Sequence, residues 1–249
     1  MQNSSTSQLS SNSPGTWPAD AFPFWPSLAA IIGGIVIYLV TLIVLLRAFQ
    51  VTAQSVRALQ LTPAIVEAQL LGYVPILAYI AVVLPMLARR SLAQILGPFG
   101  GPQALTGLVG AVAMWIAVLV VGAVQSGLFG KQPTQNDVRL FENSHPGLWV
   151  DLMALIAITL APFVEELIFR GFIFNALWRR IPFAPAAIIS GILFGAAHGQ
   201  AAGVAPLAAG GIVLAMVYAR TGSLWSSMIS HGTFNGITLL LLLASGIKM

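Results

Sequence analysis

The sequence predicts an all-α, polytopic transmembrane helical bundle of about seven spans. Three observations predict it. Of 249 residues, 57% are hydrophobic and 7% charged, with a mean hydropathy of +0.89, where soluble domains carry about 25% charged residues. The apolar residues fall into successive runs near the roughly 20 residues that carry a helix across a bilayer core. Neither the alternation of a membrane β-barrel nor an internal repeat is visible. Cysteine is absent, which removes disulfides, thiolate nucleophiles and cysteine-ligated metals. The net charge of +4 reads as loop arginines obeying membrane topology; no nucleic-acid partner is expected.

The elements follow in order. Residues 1–26 form a polar, Ser/Asn/Gln/Pro-rich tail, expected to be disordered, with Trp17, Phe22, Phe24 and Trp25 as an interfacial aromatic belt at its end. Span one, 27–46, has no Lys or Arg before it and suits an anchor helix better than a cleavable signal. A polar loop with Arg47, Gln50, Gln54 and Arg57 leads to span two, 67–88, which Pro75 and Pro85 should kink and Arg89-Arg90 ends. Residues 91–103, broken by Gly and Pro, are an interfacial connector to span three, 104–128. The loop 129–146 holds Lys131, Asp137, Arg139, Glu142 and a solvated His145. Span four is 147–177, closed by Arg179, Arg180 and Pro182; span five is 184–199, span six 206–219 and span seven 224–243. Spans five and six are short for a full crossing, so tilt or burial among other helices is expected. Seven crossings put Arg89, Arg90, Arg179, Arg180 and Arg220 on one side, taken as cytoplasmic with the N-terminus, and Arg47, Arg57, Lys131, Arg139 and Lys248 on the other.

Span four contains the stretch Ala161-Pro162-Phe163-Val164-Glu165-Glu166-Leu167-Ile168-Phe169-Arg170-Gly171. A charge at the bilayer centre costs from about 2.5 to more than 10 kcal/mol, so three charged side chains here must face a protein interior or a watery cavity. Glu166 and Arg170 are four apart on one helix face and can pair. Glu165 points about 100° away and is free to act on something else. Pro162 should kink the helix; a restart there would put both glutamates in a first turn, at the positive end of the dipole.

Two further pairs have the same spacing, Phe194 with His198 and His231 with Asn235. Helical rise places Glu165 and His198 at similar depth from the Arg179–Arg180 end. Glycines flank both histidines and either let helices approach closely or leave room for a substrate. A carboxylate and two imidazoles can activate water. Glu165 would take its proton, one histidine would orient it, and His231 with Asn235 would stabilise an oxyanion at the attacked carbonyl. The same groups, Glu165, His198 and His231, could instead hold a divalent metal such as zinc, although the His-Glu-x-x-His zinc motif is absent. The candidate site is therefore Glu165, Glu166, His198, His231 and Asn235, supported by Arg170 and Phe194, in a cavity between spans four to seven. The chain divides into the 1–26 tail, transmembrane helices and loops over 27–146, and a catalytic transmembrane core over 147–249.

Glu-Glu-x-x-x-Arg, Phe-x-x-x-His and His-x-x-x-Asn, in this order over about 151–236, resemble the CPBP intramembrane proteases, which include the type II CaaX prenyl endopeptidases and bacteriocin-processing or self-immunity proteins. The resemblance implies a helical membrane core around a cavity and hydrolysis of a peptide bond in a membrane-associated peptide or protein, lipid-anchored or itself helical. It implies Glu165 as the water-activating residue, Glu166 and Arg170 as its support, and His198, His231 and Asn235 as the rest of the site. A bacterial cytoplasmic membrane is the expected setting. The chain ends at Met249, too soon after Asn235 for the additional C-terminal helix of the prenyl-protease members, so the resemblance does not extend to prenylated substrates and the peptide substrate is left open. The motifs of site-2, rhomboid and presenilin-type proteases are absent. Two rival readings are a proton- or cation-coupled transporter, against which the missing repeat counts, and a non-catalytic immunity protein that binds a peptide in the same cavity.

Overall fold

A computed structural model describes residues 17–51 and 59–244; the first 16 residues of the expected tail, Gln54, Arg57 and Lys248 lie outside the described residues. Among the described residues there are helices and turns and no strand. Six helices among the described residues are long and apolar enough to cross a membrane: α1 (Phe24–Ala48), α2 (Pro63–Ala88), α4 (Gly101–Phe129), α6 (Leu148–Trp178), α8 (Ala201–Thr221) and α9 (Leu224–Ala244). The chain is a multi-pass integral membrane protein. α7 (Phe183–Ala197) has 15 residues, about 22 Å of helix against a core of about 30 Å. Two short helices, α3 (Leu92–Leu96) and α5 (Asn136–Glu142), lie in the connector and in the polar loop.

Local chemistry sets the boundaries. Thr62 caps α2 by accepting the Ile65 amide, with Pro63 at the first position, where no N–H is needed. Ser91 and Gln94 form a reciprocal capping box on α3. α8 begins five residues before Pro206, which the sequence reading took as its start; span six is thereby long enough to cross. α6 departs further from expectation. It runs unbroken through Pro162, widening into π-helical turns over Ile156–Leu160 and Leu167–Phe174. The glutamates therefore sit mid-helix, and the expected help from a helix N-terminus is absent.

α1 packs on α2, where the Tyr79 hydroxyl donates to the Ala30 carbonyl (2.8 Å) and covers Gly33 and Gly34. Much of α1 is otherwise an exposed apolar surface suited to lipid, including Ile32, Val36, Val40 and Ile43. α6 to α9 and α4 form the denser half, and α7 and α8 meet backbone to backbone. A Cβ at Gly191 would lie 2.7 Å from the Ala208 carbonyl oxygen, and one at Gly195 2.4 Å from that of Val204. Neither backbone atom can step aside. Gly195→Ala should therefore cost about 1–3 kcal/mol and lower the melting temperature in detergent; an unchanged melt would contradict this packing.

The two ends of the bundle differ. At one, the residues before α1 are held by four arginines: Arg89 Nε reaches Asp20 at 3.3 Å, Arg179 donates to the Ala19 carbonyl, Arg180 donates to the Phe22 carbonyl, and Arg90 lies 4.5 Å over the Trp17 ring. Trp17 and Phe22 are buried, so this part of the expected tail is packed. At the other end, Gln200 accepts the Asn136 amide (2.8 Å) and donates to the Thr134 carbonyl (3.1 Å). These contacts agree with the sidedness that seven crossings require.

Candidate functional site

The site is built on the six-residue α-helical turn Ala161–Glu166, between the two π-helical stretches of α6. Pro162 brings no N–H, and the helix absorbs this by widening: the Ala161 N–H reaches back to the Ile156 carbonyl. At the far end of the second π-helical stretch, Asn175 Nδ2 donates to the Arg170 carbonyl (2.9 Å) and lies 2.8 Å from the Tyr218 hydroxyl.

Glu166 is fully buried and its acceptor capacity is well used. Oε1 accepts from Arg170 Nη1 at 2.8 Å and from His231 Nδ1 at 3.0 Å, while Oε2 accepts from the Ser227 hydroxyl. Arg170, equally buried, sends Nη2 to the Gly211 carbonyl at 2.8 Å and lies 4.7 Å from the centre of the Phe194 ring. One carboxylate and one guanidinium thus tie α6 to α8 and α9 and touch α7. The expected Glu166–Arg170 pair is present, and its partners make it an assembly point.

Glu165 stands apart. Its side chain is 28% exposed, yet Oε2 is buried without a hydrogen-bond partner. That oxygen lies 3.9 Å from His231 Nε2, too far for a hydrogen bond and near enough for both to touch one small polar group. His231 therefore sits between the glutamates, with Nδ1 fixed on Glu166 and Nε2 facing Glu165.

His198 ends α7, before a turn through Gly199 at φ +70°. Its Nδ1–H donates to the Phe194 carbonyl (2.9 Å), so in the neutral ring Nε2 is the acceptor. The Phe194 ring meets His198 edge-on at 4.9 Å and His231 at 5.4 Å, so it abuts both imidazoles. Asn235 lies lower on α9, with Nδ2 donating to the Ala157 carbonyl of α6 at 2.7 Å. Glu165, Glu166, Arg170, His231 and Phe194 are thus brought together directly, His198 joins through Phe194, and Asn235 joins through the α6 backbone.

Among the described residues no group of three or more His, Asp or Glu is arranged to hold a metal ion. His231 Nδ1 is committed to Glu166, and Phe194 packs against both rings. A surface recess beside His145, lined also by Gln60, Ser144 and Trp149, holds none of the motif residues.

Ser227 escaped the sequence reading, although its position carried a signal. Ser227, His231 and Asn235 are spaced i, i+4, i+8 and form one polar stripe on α9, facing α6. The carbonyls of Gly211 and Ala157 carried no such signal, because any residue supplies a carbonyl.

Residues 147–237 match the family model described as Rce1-like, type II CAAX prenyl endopeptidase Rce1-like. Over 86 residues the chain is 35% identical to a Bacillus subtilis (strain 168) protein named as a candidate membrane peptidase, YdiL. That stretch covers 34% of this chain and 35% of the relative, so the likeness spans about a third of each. No solved structure matches the chain. Every motif residue falls inside the matched segment, and the resemblance read from the motifs is borne out there.

Proposed function

We propose that this chain is an intramembrane endopeptidase that hydrolyses a peptide bond of a membrane-associated peptide or protein, with water activated by Glu165. One observation carries the reading: of two adjacent glutamates, Glu166 is saturated by three donors, while Glu165 keeps a buried, unpartnered oxygen facing the free nitrogen of His231. An unpaired carboxylate oxygen at this depth is costly unless something is meant to bind there. The family match and the peptidase description of the relative support the same class of reaction.

In this mechanism a water rests against Glu165 Oε2 and gives it a proton as the water oxygen adds to the peptide carbonyl carbon. His198 Nε2, left as an acceptor, orients the remaining water proton. Glu166 holds His231 Nδ1 and so turns Nε2 toward the reacting centre, where a proton on it would serve as a donor to the developing oxyanion. Glu165 returns its proton to the amide nitrogen as the carbon–nitrogen bond breaks. The new carboxyl group keeps the water oxygen.

Labelling tests this. Membranes containing the protein, incubated in H2 18O, should yield new peptide C-termini carrying one 18O, and these should be missing with Glu165→Gln. New termini that persist in the variant, or none in wild type, would remove the assignment.

A further inference from the structure

The geometry points to Asn235 as a positioning residue that acts through the backbone of α6, one N–H of its amide replacing the amide that Pro162 lacks. The kinetic part of this inference rests on the protease reading; the structural part does not.

The carbonyls around Pro162 carry the argument. In the π turn the Ala161 N–H is committed to the Ile156 carbonyl. The Ala157 carbonyl has thereby lost its α-helical donor, and in the wider register its donor would be residue 162, a proline. A backbone carbonyl left unpaired inside a membrane is strongly disfavoured. Asn235 Nδ2 supplies the missing bond at 2.7 Å, from 78 residues further along the chain.

The next carbonyl completes the seat. Ile158 would have used Pro162 as its ordinary α-helical donor, and a Cβ at Gly232 would lie 2.4 Å from its oxygen. Gly232 thus lets α9 close onto α6 where Asn235 bonds it. The two carbonyls that Pro162 strips, one in each register, both face α9. His231 lies one turn before Asn235 on that helix, and Glu165 lies about two turns after the stripped carbonyls on α6. The Asn235–Ala157 bond therefore helps set how the helices register, and with it the 3.9 Å spacing of Glu165 and His231.

A double-mutant cycle tests this with wild type, Asn235→Ala, Pro162→Ala and the double variant, measuring unfolding in detergent and, with a cleaved peptide, kcat and KM. Pro162→Ala restores a backbone N–H and favours helix, so it should fold. Asn235→Ala alone should shift the folding equilibrium about 10- to 100-fold toward unfolding, the cost of an unsatisfied buried acceptor. It should also lower kcat about 10- to 100-fold, the scale of a misplaced reacting group, with KM little changed. In the Pro162→Ala background both losses should largely disappear. Equal loss of stability in the two backgrounds overturns the inference, as does an equal loss of kcat, which is the signature of a direct oxyanion donor. Where Pro162→Ala alone silences cleavage, the stability cycle decides. Because that readout needs no activity, a failure of the protease reading remains distinguishable from a failure of this one.

Discussion

Glu165→Gln should leave the fold intact and lower kcat by about 10²–10⁴-fold, the range that a positioned general base contributes. The two halves of that expectation come from different observations. Stability should hold because the carboxylate has no hydrogen bond to lose: Oε2 is unpartnered, and His231 Nε2 is 3.9 Å away, beyond hydrogen-bond distance. Substitutions that touch no such feature usually stay within about 0.5 kcal/mol. Activity should fall because an amide cannot take the proton of the attacking water. Glu166→Gln is the informative comparison. It places an NH2 among donors from Arg170, His231 and Ser227, so it should damage folding as well as turnover. A Glu165→Gln protein that still cleaved would transfer the general-base role elsewhere, and one that failed to fold would mean that Glu165 has a structural partner.

That contrast between neighbouring glutamates was half legible in the sequence. The i,i+4 spacing of Glu166 and Arg170 is a property of the helix itself, and the pair forms as expected. The free direction of Glu165 follows from the same 100° step. The group that meets it depends on α9 docking against α6, which local pattern does not encode. Gly195 and Gly232 make the point from the other side. Small residues beside a histidine fit close helix packing or an open substrate path equally well, and only the distances to the Val204 and Ile158 carbonyls decide for packing. The restart expected at Pro162 does not occur: a side chain 78 residues away offers an N–H to a freed carbonyl, and the helix widens without stopping. The spans themselves were the most legible part, because hydropathy is a local property, and the one clear error of length is in span six, which starts at Ala201 and not at Pro206.

Arg170→Ala is expected to be the most destabilising single change, about 3–5 kcal/mol, the usual cost of breaking a buried ion pair from one side. The guanidinium is fully buried, and its loss leaves Glu166 charged in a low-dielectric site with only His231 and Ser227 as donors. It also frees the Gly211 carbonyl and removes the cation from the face of Phe194, whose ring holds the two histidines apart. Lysine should rescue little. Its single ammonium cannot reproduce the fork that reaches the Glu166 carboxylate and the Gly211 carbonyl at 2.8 Å each. If the cost comes from stranding a charge, then removing the charge with it should help. Arg170→Met combined with Glu166→Gln should melt at a higher temperature than Arg170→Met alone, although neither should cleave. Melting curves in detergent for the three variants give the answer. A double variant less stable than either single one would mean that the two side chains contribute separately, through their contacts to different helices, and that charge compensation is not what holds this junction together.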